Sequence, residues 1–407
     1  MKIIDIKARE ILDSRGFPTV EADVIIEGGY LGRASIPSGA STGSNEALEL
    51  RDNDDRFFGK GVRSAVNNIL YVITPEIVGK NFKTQEEFDN LLIKLDGTLN
   101  KTKLGANAIL ALSLGYLKAC SLKEEKELYQ YVGNGKSVPR CMINILNGGM
   151  HADNGLDFQE FMIVPMQNTI REQMQTASEV FHSLKKILKE NGYSTNVGDE
   201  GGFAPNIESN EIALDMIVEA IKCANYMPGV DVCLALDIAA SSFYDSERDV
   251  YLINGVSYEK EEMIDMYKNL IDKYPIISIE DPLEENDFFG FSNLTKALDI
   301  QIVGDDLFTT NVKSLSKGIE MGACNAILIK ANQIGTVTET LNAINMAKDN
   351  DYNVVISHRS GETEDTFISD FAVGLSIPMI KTGSMSRGER ICKYNRLLRI
   401  EEKINNN

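Results

Sequence analysis

AILIKANQIG, residues 326–335, joins four apolar residues directly to a lysine and then to a turn that contains Asn332 and Gly335. Such an apolar run is typical of a fully buried strand. A lysine beside a buried strand keeps its ammonium in water or pairs it with other groups, because an isolated charge is costly to bury. What lies opposite Lys330 is therefore the central question about this segment.

Similar apolar runs recur through the second half of the chain, and each leads to an ionisable residue. The runs CLALD, IISIED, QIVGDD, AILIK, VVISHR and PMIK lead to Asp237, Glu280, Asp305, Lys330, His358 and Lys381. The last four intervals are 25, 25, 28 and 23 residues, which is room for one strand, one helix and two short loops. A closed barrel gathers the carboxyl ends of its parallel strands at one mouth. The pattern therefore predicts a barrel in which Lys330 faces Asp237, Glu280, Asp305 and Lys381.

The first part of the chain has a different pattern. Strand-like alternation in PTVEADVIIEGGYLGRASIP (18–37) is followed by helical segments that end in LGANAILALSLGYLKACSLKEEKELYQYV (104–132), and YVGNGKSVP (131–139) is typical of a linker. A chain of 407 residues exceeds one ordinary core. We therefore predict an α/β protein with a smaller N-terminal α+β domain at 1–133 and a C-terminal (β/α)8-type barrel at 140–407 that carries the active site.

Composition and charge narrow the classes of partner and location. The formal net charge of −19 argues against nucleic acid and anionic membranes, because a polyanion would be repelled over most of the surface. The longest uncharged run has 14 residues (104–117), too few to span a bilayer. The first residues contain acids and no continuous apolar core, so we expect no secretory signal. Six scattered cysteines without a CxxC spacing indicate reduced core residues of a cytoplasmic protein.

The acidic strand ends fit metal chemistry. Asp237, Glu280 and Asp305 offer hard oxygen ligands suited to Mg²⁺, and no His/Cys cluster points to zinc. Any one of these acids could simply pair with Lys330 or Lys381, but five charged strand ends in phase favour a site. Lysines surrounded only by carboxylates have raised pKa values and are poor bases, whereas a divalent cation reverses that effect. A small anionic substrate is compatible with such a site.

Ten short strings, in family order from about residue 3 to residue 402, carry a resemblance to a known family. They are DSRG (13–16), PSGASTG (37–43), LNGGMHADN (146–154), QEFM (159–162), VGDEGGFAPN (197–206), SIEDP (278–282), GDDL (304–307), LIKANQIG (328–335), SHRSGETEDT (357–366) and IKTG (380–383). The chain resembles the enolase family, and LNGGMHADN is similar to bacterial members. The resemblance implies a phosphopyruvate hydratase (EC 4.2.1.11), a hydro-lyase that reversibly converts 2-phospho-D-glycerate into phosphoenolpyruvate in glycolysis and gluconeogenesis.

The same resemblance implies two Mg²⁺ ions per active site. Asp237, Glu280 and Asp305 would bind the first ion, with Asp306 behind them. Ser41, in the PSGASTG loop, would bind the second ion when the loop closes over the substrate. Without the family, this loop would be interpreted as a flexible surface segment.

The resemblance also implies roles in acid–base chemistry and substrate binding. Lys330 would remove the C2 proton, and Glu200, supported by Glu160, would protonate the departing C3 hydroxyl. His151 would lie over the substrate, although a lone histidine could equally be a structural donor, as we interpret His182. Arg359 and Ser360 are expected to open a helix and to bind the phosphate. The implied substrate-binding residues are Gln159, His358, Arg359, Ser360 and Lys381, of which Lys381 would pair with the substrate carboxylate.

Some positions depart from the family pattern, and two alternatives stay open. Phe17 stands where Asn is usual, Ser242 where Glu is usual and Gly388 where Ser or Thr is common, and the chain has no tryptophan. These departures concern loop packing and subunit contacts, since the family implies a homo-oligomer, either dimer or octamer.

One alternative is another member of the superfamily, such as a racemase, cycloisomerase or ammonia lyase. The other is an inactive structural or binding protein on the same fold.

Overall fold

The computed structural model describes residues 1–39, 43–152 and 154–406. Its N-terminal part begins with an antiparallel sheet in the order β1-β2-β3, formed by β1 (Ile3–Leu12), β2 (Pro18–Ile26) and β3 (Tyr30–Ser35). The helices that follow are α1 (Arg63–Asn67), α2 (Thr74–Ile77), α3 (Gln85–Asp96), α4 (Ala106–Lys123) and α5 (Leu128–Val132). A 3-10 turn (Arg56–Gly59) precedes α1, and a π turn (Asn68–Ile73) lies between α1 and α2.

Helix α4 contains the long uncharged run and is buried along almost its whole length, as the sequence predicts. It packs on β2 and β3, and the approach is so close that a Cβ on Gly32 would lie 2.0 Å from the carbonyl oxygen of Gly115. Strand β2 is buried on both faces, unlike the alternation expected from its sequence. The polar side chains of β2 are covered because Glu21 and Asp23 pair with Arg9 and Arg33 of the neighbouring strands.

Eight strands of the second part form a closed barrel, in the spatial order β4-β5-β6-β10-β11-β12-β13-β14. The barrel strands are β4 (Arg140–Asn147), β5 (Glu160–Pro165), β6 (Val232–Asp237), and, after a small sheet of β7 (Tyr244–Asp245), β8 (Val250–Ile253) and β9 (Val256–Tyr258), the strands β10 (Ile276–Glu280), β11 (Gln301–Gly304), β12 (Ala326–Ile329), β13 (Asn353–Ser357) and β14 (Met379–Lys381). The predicted α/β barrel is therefore confirmed.

Helices separate most of these strands. They are α6 (Ile170–Glu190), α7 (Asn210–Cys223), α8 (Lys260–Lys273), α9 (Phe288–Ala297), α10 (Val312–Met321), α11 (Ala331–Ile334), α12 (Val337–Asp349), α13 (Phe367–Gly374) and α14 (Gly388–Asn405), with 3-10 turns at Gly149–His151 and Ala240–Phe243. Helices α10 and α12 lie where the periodicity between strand runs predicts them. Among the described residues, none of the helices combines the length and apolar character needed to cross a bilayer.

Strand β5 is the exception to the parallel arrangement. It runs antiparallel to both β4 and β6, whereas the pairs from β6 through β10 to β14, and β14 with β4, are parallel. The physical reason is the connection from β4 to β5, which has no α-helix among its described residues, so the chain returns in the opposite direction. As a result Glu160, the first residue of β5, pairs in register with Asp237, the last residue of β6.

The two parts of the chain meet at the turn that follows β12. The main-chain N–H of Ala47 donates to the carbonyl of Gln333 at 2.8 Å, and Lys101 Nζ lies 3.0 Å from Glu339. Asp89 of α3 accepts from the main-chain N–H and the hydroxyl of Thr338 at 2.9 and 2.6 Å. Helix α5 ends at Val132 and β4 begins at Arg140, and the domain limits 1–133 and 140–407 stay predictions.

The six cysteines are free thiols, but not all lie in the core. Cys120, Cys141, Cys233 and Cys324 are buried, as expected. The expectation is wrong for the other two, because Cys223 of α7 is exposed and Cys392 of α14 is partly exposed on the solvent-facing sides of their helices.

We expect the buried carboxyl of Asp89 to make stability depend on pH. Burial raises its pKa to about 6 from the ordinary 3.8, despite hydrogen bonds from Thr338, Ser113 and Gln85. The folded chain therefore binds this proton more tightly than the unfolded chain, so the stabilising contribution is complete below about pH 4 and is lost as the pH rises through about 6. Between about pH 4.5 and 7, the parent should lose about 2 kcal/mol more unfolding free energy than Asp89→Asn.

Urea denaturation at the two pH values measures this difference. Asp272→Asn, at an exposed position of α8, is the control and should behave like the parent. An equal pH dependence in the parent and in Asp89→Asn would contradict the expectation.

Candidate active site

A pocket of about 260 Å³ lies at the mouth of the barrel. Eleven of the thirteen side chains predicted from the sequence line it, namely His151, Gln159, Glu160, Glu200, Asp237, Asp305, Lys330, His358, Arg359, Ser360 and Lys381. Glu280 is not among the lining residues, but its carboxylate contacts Lys381, which is. Ser41 lies outside the described residues.

Three carboxylates stand at the ends of three neighbouring strands. Asp237 and Glu280 are the last residues of β6 and β10 and pair in register, and Asp305 follows the last residue of β11. All three are buried. Their geometry follows from the strands, because adjacent parallel strands in register place their terminal side chains side by side.

Two lysines from β14 and the end of β12 bind these carboxylates. Lys381 Nζ lies 2.9 Å from Asp237, 2.9 Å from Glu280 and 3.2 Å from Glu160. Lys330 Nζ forms an ion pair with Asp305 Oδ2. The question about the groups opposite Lys330 therefore has an answer, since its direct partner is the carboxylate of Asp305.

The lysines are poor proton acceptors in this arrangement. Burial alone would lower the pKa of Lys330, but the neighbouring carboxylates, Asp305 first and Glu280 after it, together outweigh burial and raise the pKa. The same balance, with Asp237, Glu160 and Glu280 as the partners, holds the pKa of Lys381 well above its ordinary value. This agrees with the sequence argument that lysines surrounded by carboxylates alone stay protonated and so cannot act as bases.

The carboxylates carry more negative charge than the two lysines compensate. Burial and the neighbouring charge of Asp237 raise the pKa of Glu280 well above its usual range. Burial and the charge of Asp305 raise the pKa of Asp306 to about 7. One oxygen each of Asp281, Asp305 and Asp306 lie within 4.8 Å of one another. A buried set of hard oxygen atoms with excess negative charge fits a divalent cation such as Mg²⁺.

Asp281 has a different task from its acidic neighbours. Its two carboxylate oxygens accept the main-chain N–H groups of Asp305 and Asp306, both at 2.9 Å. Asp281 itself has a φ of +43°. Such a strained conformation persists where the surroundings hold it, and here the contacts orient the loop that carries Asp305.

A second group of ionisable side chains lies in the same pocket, next to the carboxylates. His151 Nδ1 lies 3.6 Å from Glu160 and 3.7 Å from Glu200. Asn144 donates to Glu200 Oε2 at 3.0 Å, and His358 Nε2 lies 3.3 Å from the same oxygen. The predicted acid, Glu200, and its predicted supporting carboxylate, Glu160, are therefore both neighbours of His151.

Glu160 and Glu200 differ in how they hold a proton. Burial and the charge of Glu200 raise the pKa of Glu160 well above its ordinary value. Burial opposes the ionisation of Glu200 too, but His358, His151 and Arg390 keep its pKa below the usual range. Two carboxylates this close share one proton. The surroundings therefore favour the protonated form of Glu160 and the ionised form of Glu200.

The neighbouring histidines are neutral near pH 7. Burial lowers the pKa of His358 to about 4 and also lowers the pKa of His151. Each imidazole therefore has one N–H donor and one acceptor, and in His358 the acceptor is Nδ1, which lies 2.7 Å from Arg390 Nη1.

Arg359 and Ser360 lie in the pocket, but the helix expected to begin there does not. After β13, the residues 358–366 form a loop, and α13 begins only at Phe367. The prediction was wrong because the segment is held by side chains instead of helical hydrogen bonds. Arg359 Nη1 donates to Glu46 at 2.9 Å and to Asn332 at 3.2 Å.

Arg390 is a residue of the site that sequence reasoning missed. Its side chain, fully buried at the start of α14, donates to the main-chain carbonyls of Arg359 and Ser360, both at 2.6 Å, and lies 2.7 Å from His358 Nδ1. Nothing in the string SRGERICK distinguishes this arginine from an exposed one. The same holds for Asn144, which is in the middle of the apolar run of β4.

The departures from the family pattern have different structural settings. Ser242 lines the pocket. The ammonium of Lys60 lies over the ring of Phe17, with Nζ 4.2 Å from the ring centroid. At Gly388 a Cβ would meet none of the described atoms within 4 Å, so sterics do not explain the glycine.

Comparison with known protein families covers almost the whole chain. Residues 3–132 match the family model described as "Enolase, N-terminal domain". Residues 135–407 match the model described as "Enolase, C-terminal TIM barrel domain".

Proposed function

The chain belongs to the enolase family and is an enolase-type hydro-lyase, and we propose that it is a phosphopyruvate hydratase (EC 4.2.1.11). The proposed reaction is the reversible dehydration of 2-phospho-D-glycerate to phosphoenolpyruvate in glycolysis and gluconeogenesis. One observation carries the proposal. A single pocket combines a lysine that is paired with a buried carboxylate cluster and a second, proton-sharing pair of carboxylates.

Asp237, Glu280 and Asp305 are the proposed ligands of one Mg²⁺ ion, and Ser41 is the proposed ligand of a second. The fit rests on the buried oxygen donor set and its excess negative charge. When bound, the ions would neutralise the negative charge that develops on the substrate carboxylate as the C2 proton leaves.

Lys330 is the proposed base. The C2–H bond breaks, the proton passes to Nζ of Lys330, and the electron pair stays on the substrate as a carbanion conjugated with its carboxylate. In the structure the charge of Asp305 holds the lysine protonated. A cation held at Asp305 would offset that charge, and Lys330 would then have the neutral amine that accepts a proton.

Glu200 is the proposed acid, with Glu160 as its proton-sharing partner. The C3–O bond breaks, the electron pair of the carbanion forms the C2–C3 double bond, and the hydroxyl leaves with a proton as water. Because the surroundings favour the protonated form of Glu160 and the ionised form of Glu200, delivery through Glu200 would use the proton that the pair shares. His151 lies within 4 Å of both carboxylates and is suited to hold them in place.

The remaining residues have proposed roles in binding. Lys381 would pair with the substrate carboxylate. Arg359 and Ser360 would bind the phosphate, with His358 and Gln159 completing the pocket. Gln159 Nε2 donates to Asp237 at 3.1 Å, so Gln159 lies next to a proposed metal ligand.

The test is product formation from defined acids. With added Mg²⁺, the chain should form phosphoenolpyruvate from 2-phosphoglycerate, and it should leave 3-phosphoglycerate and a phosphate-free 2-hydroxy acid unchanged. Turnover of the phosphate-free acid alone would instead favour another member of the superfamily. Turnover of neither acid would favour an inactive binding protein. The homo-oligomeric state (dimer or octamer) and the cytoplasmic location are proposals that rest on the family and the composition.

A further inference from the structure

Gln333 occupies a buried position behind the carboxylate that binds Lys330. It lies in the short helix α11, three residues after Lys330, and is fully buried. Its side-chain Nε2 donates to Asp305 Oδ1 at 2.8 Å, while the other oxygen of Asp305 binds Lys330 Nζ. Gln333 thus holds the carboxylate from the side that faces away from the lysine.

Thr310 determines which way the carboxamide of Gln333 points. The main-chain N–H of Lys330 donates to Thr310 Oγ1 at 2.9 Å, and Thr310 Oγ1 lies 2.8 Å from Gln333 Oε1. A hydroxyl that accepts from an N–H gives its own hydrogen to another acceptor. That acceptor is the carboxamide oxygen, so the NH₂ group of Gln333 faces Asp305.

These contacts form one directional chain from the main chain of Lys330 to the carboxylate of its partner. Thr310 and Gln333 are both fully buried. Thr310 has a φ of +54°, which is costly for a β-branched residue. The main chain of Gln333 is fixed as well, because its carbonyl accepts from Ala47 at 2.8 Å.

We infer that Gln333 is a positioning residue that fixes the rotation of the Asp305 carboxylate, with Thr310 as its support. One oxygen of Asp305 accepts the hydrogen bond from Gln333, and the other faces Lys330 and the proposed Mg²⁺ site. The inference rests on the proposed metal site. Hydrogen bonds from a neighbouring side chain to a metal ligand orient that ligand, and their loss weakens metal affinity by about 10- to 100-fold.

The test compares two buried glutamines. Gln333→Met keeps the length of the side chain and removes the donor. Gln173→Met is the matched control, since Gln173 is also buried and hydrogen-bonded, to Cys141 and Pro139, but lies on α6 away from the pocket. Mg²⁺ affinity is measured by calorimetry without substrate, and folding is measured by thermal denaturation.

We expect Gln333→Met to weaken Mg²⁺ binding about 10-fold or more and to lower kcat, with KM at saturating Mg²⁺ changed far less. Gln173→Met should lose thermal stability and keep the Mg²⁺ affinity of the parent. If Gln333→Met fails to fold, Thr310→Val and Thr310→Ser take its place. Thr310→Ser keeps the hydroxyl and should bind Mg²⁺ like the parent, and Thr310→Val should bind it more weakly.

Unchanged Mg²⁺ affinity in Gln333→Met, or equal affinities in the two Thr310 variants, would overturn the inference and leave a purely structural role. Failure of the proposed function is a separate outcome. In that case the parent itself would bind no Mg²⁺ or form no phosphoenolpyruvate.

Discussion

Lys330→Ala should lose both the dehydration of 2-phosphoglycerate and the exchange of its C2 hydrogen with deuterated water, each by at least about 10²- to 10⁴-fold. Glu200→Gln should lose dehydration by a similar factor and keep measurable exchange. The two variants separate because removal of the C2 proton does not require the C3 hydroxyl to leave. NMR of the recovered substrate measures the exchange, and product formation measures the dehydration.

Lys330→Ala should fold normally. The lysine lies at the pocket, where a shortened side chain leaves no apolar cavity, and its main-chain hydrogen bond to Thr310 remains. Lys186→Ala, at an exposed position of α6, is the control and should retain full activity. C2 exchange at near the parental rate in Lys330→Ala would count against the assignment, and the base would then have to be sought at Lys381 or His358.

Removal of divalent cations should abolish turnover, and added Mg²⁺ should restore it. Asp237, Glu280 and Asp305 repel one another in a buried setting, and a cation offsets this repulsion. Asp305→Asn should reduce turnover by about 10³-fold, because metal stabilisation of developing charge contributes several kcal/mol. The fold should survive, since asparagine has nearly the same shape as aspartate.

Asp306→Asn is the matched comparison for Asp305→Asn. Asp306 lies next in the chain and also lines the pocket, but it is not among the proposed metal ligands. Asp306→Asn should therefore retain much more activity than Asp305→Asn, and its Mg²⁺ affinity should change less. Full turnover of the parent in excess chelator would exclude the metal assignment.

The pattern of apolar runs ending in charged residues was sufficient to predict the barrel and the meeting of Asp305, Lys330 and Lys381. It worked because parallel strands all end at one mouth. The same reasoning could not find Glu160 without the family resemblance, since Glu160 begins its strand instead of ending it. Only the antiparallel direction of β5 brings that position to the mouth, and strand direction depends on how the chain connects β4 to β5.

Contacts between distant segments were the part that the sequence could not predict. Arg390 reaches the loop after β13 from the C-terminal helix, and Gln333 meets Asp305 across neighbouring strands. Neither residue has a local signal, because its function depends on what packs against it. The expected helix at Arg359 failed for the same reason, since side chains from elsewhere hold that loop.

The closing contact of the barrel has a consequence for biosynthesis. Strand β14, which carries Lys381, pairs with β4 across more than half of the chain. A ribosome therefore releases Asp237 and Glu280 well before Lys381, which compensates their charge. Until that strand emerges, the nascent barrel is open, with two unpaired edges and an acidic interior. Chains truncated before residue 379 should consequently be captured by chaperones or proteases instead of accumulating as partly active protein.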